Sequence, residues 1–183
     1  MLRRVHAELG RAVPGPQVDG IYLTWPDLAA APVGLSVPYC LRGRFEAKGD
    51  FATNPVTWWT LHRHPLPLRG PAKPVVHHDD QVLREWCRES LRGYWGGYVR
   101  GARGYGRYRP YSLSRDLTVW GGLGVARPHA TIRTGEMISK TAAGPYALGV
   151  FPPRWSAIVR EALAGGCGRD RSFYLNPFAR RRG

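Results

Sequence analysis

Apolar residues recur at helical spacing through most of this chain and alternate at strand spacing only near its start. Leu2, Val5, His6 and Leu9 fall on one face of a helix over residues 1–12, which Gly10 and Pro14-Gly15-Pro16 bring to an end. Residues 18–24 then alternate, Val18, Gly20 and Tyr22 against Asp19, Ile21 and Leu23, which predicts a short strand closed by Trp25-Pro26-Asp27. Residues 29–53 are rich in Ala, Pro and Gly and read as irregular, with room for a second strand at 43–46. Val56, Trp58, Trp59 and Leu61 lie near one stripe, so a short helix should pack on the strand layer.

Proline-rich residues 65–78 read as a linker between two halves. Asp79-Asp80 opens a helix through Trp95, with acids at its positive end and a broad apolar face of Val82, Leu83, Trp86, Cys87, Leu91 and Tyr94. Residues 96–110 are low-complexity Arg/Gly/Tyr sequence and predict a mobile loop. Ser114 is a cap for a helix over 115–133 whose inner side holds Leu117, Trp120, Gly121, Gly124, Val125 and Ile132. A proline inside a helix costs about 3 kcal/mol, so Pro128 predicts a kink there or two short helices. Pro145 should do the same to a helix starting near Ser139, unless it lies in the first turn. Pro152-Pro153 starts a last helix over 154–164, with Trp155, Ile158, Val159 and Ala162 inward and Gly165-Gly166 ending it. Residues 167–183 read as a basic, frayed tail.

Composition narrows the picture. The 183 residues are 43% hydrophobic and 11% aromatic, enough for a core and unlike a disordered chain. The net charge is +14, nearly all from arginine, so the field attracts nucleotides, nucleic acid and anionic surfaces. Cys40, Cys87 and Cys167 are far apart and odd in number, which supports neither a zinc site nor a disulfide framework. No apolar run follows the basic opening as in a signal peptide, and none has the length of a membrane span. A cytoplasmic protein with no membrane partner is expected.

Candidate chemistry concentrates in Thr134-Gly135-Glu136-Met137-Ile138-Ser139-Lys140-Thr141. Thr134-Gly135 can end one helix and Ser139 or Thr141 can cap the next. Lys140 then stands at a helix N-terminus, where N–H groups and the dipole favour an anion. Locally this is either a phosphate site or, more ordinarily, a solvated lysine in a helix–helix turn. His62 with His64, and His77 with His78, raise the question of a metal, but residues two apart on a helix diverge and no carboxylate stands at ligand spacing. No metal ligand is assigned. Asp19 reads first as a solvated strand-edge acid. The Arg/Gly/Tyr stretch can contact phosphates and stack on bases, or be a solvated surface.

Three segments in order resemble one family. They are Asn54-Pro55-Val56-Thr57-Trp58-Trp59-Thr60-Leu61 with Leu66-Pro67-Leu68-Arg69-Gly70-Pro71; Arg127 and His129 with the 134–144 stretch; and Tyr146-Ala147-Leu148 with Phe151-Pro152 and Arg154-Trp155. Together they look like the aminoglycoside adenylyltransferases that modify streptomycin and spectinomycin. The resemblance implies an α+β fold: a truncated nucleotidyltransferase sheet (1–70), a mainly α-helical bundle domain (71–166) and the basic tail (167–183). It implies transfer of AMP from ATP, with Mg2+, to a hydroxyl of an aminoglycoside or aminocyclitol. By position Asp19 matches the acid that serves as base. Lys140 matches the lysine on the ATP phosphates, and Arg127 an arginine near the nucleotide. Trp95 is among the aromatics that can line an aminoglycoside site. The family's Gly-Ser turn followed by a metal-binding Asp-x-Asp is absent from these 183 residues, so the chain by itself should be inactive. The alternative is a basic module for RNA or single-stranded nucleic acid, built on the Arg/Gly/Tyr loop; nucleic acid is a partner only on that reading.

Overall fold

A computed structural model gives the fold, and the residues it describes are 1–12, 19–103 and 115–166. They form a mixed α and β protein, largely helical, with a three-stranded antiparallel sheet. The chain divides into two compact units, Met1–Asp79 and Asp80–Gly183.

In the first unit α1 (Leu2–Ala12) precedes the sheet of β1 (Gly20–Ile21), β2 (Tyr39–Leu41) and β3 (Arg44–Glu46), ordered β1-β2-β3. Gly20 sits opposite Cys40, and Cys40 opposite Phe45. The strand foreseen over 18–24 is shorter: after Ile21 only one further bond, from Tyr22 N–H to the Pro38 carbonyl at 2.9 Å, continues the ladder. A capping box stops it. Thr24 Oγ1 accepts the Asp27 N–H, while the Asp27 carboxylate accepts the Thr24 N–H at 2.8 Å. Residues read as a turn are therefore a helix, α2 (Trp25–Ala29), with Pro26 in the first turn where no donor is needed.

The β2–β3 hairpin, half of it missed in the irregular stretch, closes on Arg42-Gly43. Both have positive φ, 52° and 73°, as a two-residue hairpin turn demands. Beyond the hairpin, Asn54 caps α3 (Pro55–Arg63) by accepting from Val56 and Thr57 N–H. Trp58, 1% exposed, sits in a cluster with Leu28 and Val76, and its Nε1 donates to the carbonyls of Leu28 (3.1 Å) and Ala30 (3.0 Å). The proline-rich stretch has no helix or strand, but its end is packed: Val76 is buried and His77 N–H bonds the Leu28 carbonyl.

The second unit opens with α4 (Asp80–Ser90), a π-helical turn (Leu91–Trp95) and α5 (Gly96–Arg103). Residues 96–103 are thus helical rather than the loop foreseen, and residues 104–114 lie outside the described ones. The wide turn also shifts the register. Leu83 and Cys87 face inward as the periodicity predicts, but the extra residue carries Trp95 inside and leaves Tyr94 61% exposed. The next two helices are α6 (Arg115–Gly124) and α7 (Ala126–Thr134). Their break falls at Val125 rather than at Pro128, which occupies the first turn of α7 where a missing N–H costs little.

Ser139 caps α8 (Lys140–Val150), which runs unbroken through an exposed Pro145 instead of splitting there. A 3-10 turn (Pro153–Trp155) leads into α9 (Ser156–Gly166), and Trp155, foreseen inward, is exposed on it. Glu161 of α9 is fully buried and not without a partner. The core is made of small side chains: Leu123, Ala126, Ala143, Ala147, Val159 and Ala162. Small residues let α8 and α9 approach closely, so that a β-carbon on Gly144 would lie 2.2 Å from Leu163 Cδ2. Among the described residues no helix is long and apolar enough to cross a membrane.

Two glycines of α8 should therefore respond oppositely to alanine. Gly144→Ala collides with Leu163 and should lose about 1–3 kcal/mol. Gly149→Ala meets nothing within 4 Å and should gain about 0.5–1 kcal/mol from helix propensity. Urea denaturation of the two variants checks the pair, and equal effects would contradict the contact.

Candidate functional site

The connector between α7 and α8 positions the sequence-predicted residues of the second unit. Gly135 ends α7 in the left-handed conformation, φ 78°, with its N–H on the Thr131 carbonyl at 2.8 Å. The Arg84 guanidinium lies against Gly135, where a β-carbon would stand 2.6 Å from its Nη2. Thr134 Oγ1 donates to the Ala130 carbonyl and accepts the Glu136 N–H, tightening the exit.

At the other end Ser139 Oγ accepts the Ala142 N–H at 3.1 Å. A helix leaves its first N–H groups without internal partners. One cap bond satisfies Ala142, so the N–H groups of Lys140 and Thr141 remain directed out of the N-terminus beside the exposed Lys140 side chain. Arg127, half-buried in the first turn of α7, donates from Nε to the Ile138 carbonyl at 2.8 Å. Arg127 and Lys140 are thus brought to one connector, the guanidinium anchored two residues before the lysine. Positive charge, open N–H donors and the helix dipole coincide there, an arrangement suited to an anion such as a phosphate.

Two neighbours support this connector. Thr131 Oγ1 is within hydrogen-bond reach of the Glu136 carbonyl and of Met137 Sδ. Cys87 packs beneath; burial pushes its thiol up to about 11 against the opposing pull of Thr131 and Arg127, which leaves it protonated and inert at neutral pH. On α7, His129 Nδ1 meets Tyr146 Oη of α8 at 2.8 Å, with the Phe151 ring 5.2 Å away. Burial, then the charge of Arg133, lowers the His129 pKa.

Asp19 belongs to the first unit and is exposed. Its Oδ1 accepts the N–H of Arg42, the residue forced to positive φ in the hairpin turn. The carboxylate therefore holds the turn that a non-glycine residue strains. Burial, then the Asp19 charge, raises the Cys40 thiol. Among the described residues no three His, Cys, Asp or Glu side chains are grouped to hold a metal. Magnesium needs oxygen donors in near-octahedral array, and one carboxylate already bonded to a backbone N–H does not fit that ion. The rings of His62 and His78 do meet, 4.4 Å apart and 6° from parallel. Stacked imidazoles direct their lone pairs in parallel planes, so they do not converge on one metal.

The sequence reading missed an aromatic cluster. Trp95 and Trp120 lie 4.3 Å apart, with Tyr98 at 5.1 Å and Tyr94 at 5.8 Å from Trp120. Gly124 makes room for it, since a β-carbon there would stand 2.6 Å from the Trp95 ring. The signal that assembles it is the π-helical turn, which leaves no trace in apolar periodicity. Residues 104–110 of the Arg/Gly/Tyr stretch lie outside the described residues. No family model, no curated protein and no solved structure matches the chain.

The His129 environment yields a pH dependence. Its native pKa lies below the value of about 6.5 expected in the unfolded chain, so the unfolded state takes up a proton first as pH falls. Stability from this residue is complete above about pH 6.5 and is lost as pH falls from there through the native value. Urea denaturation between about pH 5 and pH 8 should show that loss, with a smaller slope for His129→Gln. An unchanged slope would remove His129 as its source.

Proposed function

We propose that this chain is a nucleotidyltransferase-family protein resembling the aminoglycoside adenylyltransferases, and that its second unit provides a contact for the phosphates of ATP. The observation that carries this reading is the α7–α8 connector. Its glycine stop, serine cap and leading lysine follow the order that the resemblance assigns to a nucleotide wall, and their geometry suits an anion. Arg127 fixes the connector and adds positive charge. Trp95 is buried against Trp120, so the part of this cluster open to an aminoglycoside or aminocyclitol ring is the exposed Tyr94.

The reading also limits the chemistry of the chain. AMP transfer in such enzymes uses metal-held phosphates and a carboxylate base. Asp19 is the residue that resemblance assigns as base, and no Asp-x-Asp accompanies it in these residues. The sheet of the first unit, on this reading, is the end of a nucleotidyltransferase sheet. The chain then contributes nucleotide binding, and transfer requires acids from a further segment.

Calorimetric titration with ATP tests the contact. Lys140→Ala removes an exposed side chain and should leave the fold intact while weakening ATP by about tenfold, the loss of one charge-assisted contact. Lys140→Arg should retain most of the affinity. Unchanged binding in Lys140→Ala would exclude the lysine from the site. Pyrophosphate release from ATP and spectinomycin is expected from a protein in which an Asp-x-Asp segment precedes these residues. Release by the 183 residues alone would place the catalytic acids elsewhere.

A further inference from the structure

We propose that α1 is a surface-binding helix for anionic lipid bilayers. The helix uses only part of its apolar face inside the protein. His6 is its one buried residue. The His6 Nε2 pairs with the Tyr22 hydroxyl, and its ring stacks on Phe45 with centroids 5.8 Å apart. Leu2 is half-buried on the same side. These contacts fix which face α1 turns to the sheet.

The adjoining strip is left in water. Val5 and Leu9 lie one turn apart on it and are 40% and 42% exposed, and Met1 begins the same strip. Arg4 and Arg11, both exposed, follow on one side of it past Glu8, while Arg3, also exposed, lies beyond the buried His6 face with its guanidinium 5.6 Å from the Phe45 ring centroid. Against them stands Glu8 alone in this helix, paired with Arg4 at 3.5 Å in an exposed bridge that adds little. A short apolar strip on a helix whose polar side carries arginines is the pattern of a helix lying in the plane of a membrane surface. The apolar side chains enter the headgroup boundary while the arginine stems reach back to lipid phosphates. Such binding needs no spanning segment.

Charge separates this occupant from others. A second copy of α1 on the same strip would bring two sets of arginines together in a chain that already carries +14. Nucleic acid would satisfy the arginines but leave Val5 and Leu9 in water. An anionic bilayer satisfies both.

Sedimentation of the full chain with phosphatidylcholine vesicles, with and without phosphatidylglycerol, is the test. The chain should pellet with the anionic vesicles only, and less so as salt rises. Val5→Asp with Leu9→Asp should abolish pelleting, and Arg4→Gln with Arg11→Gln should reduce it several-fold. These side chains are solvent-exposed, so circular dichroism should report an unchanged fold. Failure to pellet, or pelleting that survives the aspartate substitutions, overturns the proposal. So does a concentration-dependent dimer, seen by light scattering, that the aspartate substitutions dissolve.

Discussion

Leu163 lies where a β-carbon on Gly144 would be, and this contact determines how close α9 comes to α8. Of the six buried core residues around it four are alanines, Ala126, Ala143, Ala147 and Ala162, which have little side chain to adjust. A core of small residues is held by backbone proximity and dispersion, so a displaced helix loses many weak contacts together. Fixing α8 fixes its first turn as well. The direction in which Lys140 and the open N–H groups point thus depends on packing about one turn further along the helix.

The connector owes its electrostatic character to incomplete capping. Ser139 satisfies the Ala142 N–H and no more, so the positive end of α8 stays available. The Ile138 carbonyl, which would otherwise add negative potential next to that end, is bonded by Arg127. An arginine donating through Nε still carries its full charge, so the same side chain orders the loop and strengthens its positive potential. His129 and Tyr146 tie α7 to α8 on a separate contact, and lowered basicity keeps that imidazole neutral rather than a competing cation.

What the sequence made legible follows from the range of each signal. Local signals held: α1, the short helix α3, the left-handed Gly135 and the Ser139 cap all depend on residues close in sequence. Signals that depend on distant partners did not. Asp19 looked like a free edge acid because its bond to the Arg42 N–H spans 23 positions. The buried Glu161 sits on a face that periodicity reads as apolar. A π-helical turn shifts inward-facing positions by one residue, so the 3.6-residue rule selected Tyr94 where Trp95 is buried. Pro128 rightly foretold two short helices in place of one, although the break lies at Val125, whereas Pro145 misled. The rule assumes a helix interior, whereas Pro128 stands in a first turn and α8 continues through Pro145.

The two units divide the chemistry unequally. In the first, the acid with a candidate role is engaged in holding a strained hairpin, and the Cys40 thiol that feels its charge is kept protonated by burial. A carboxylate that stabilises a turn is poorly placed to release that bond during a proton transfer, since freeing it leaves Arg42 with φ 52° unsupported. In the second, the groups with a candidate role are donors left open by the geometry of a helix start, and they need no rearrangement to meet an anion. Open donors at a helix start therefore suit the anion contact proposed for them, and among the described residues no three His, Cys, Asp or Glu side chains are grouped to hold a metal.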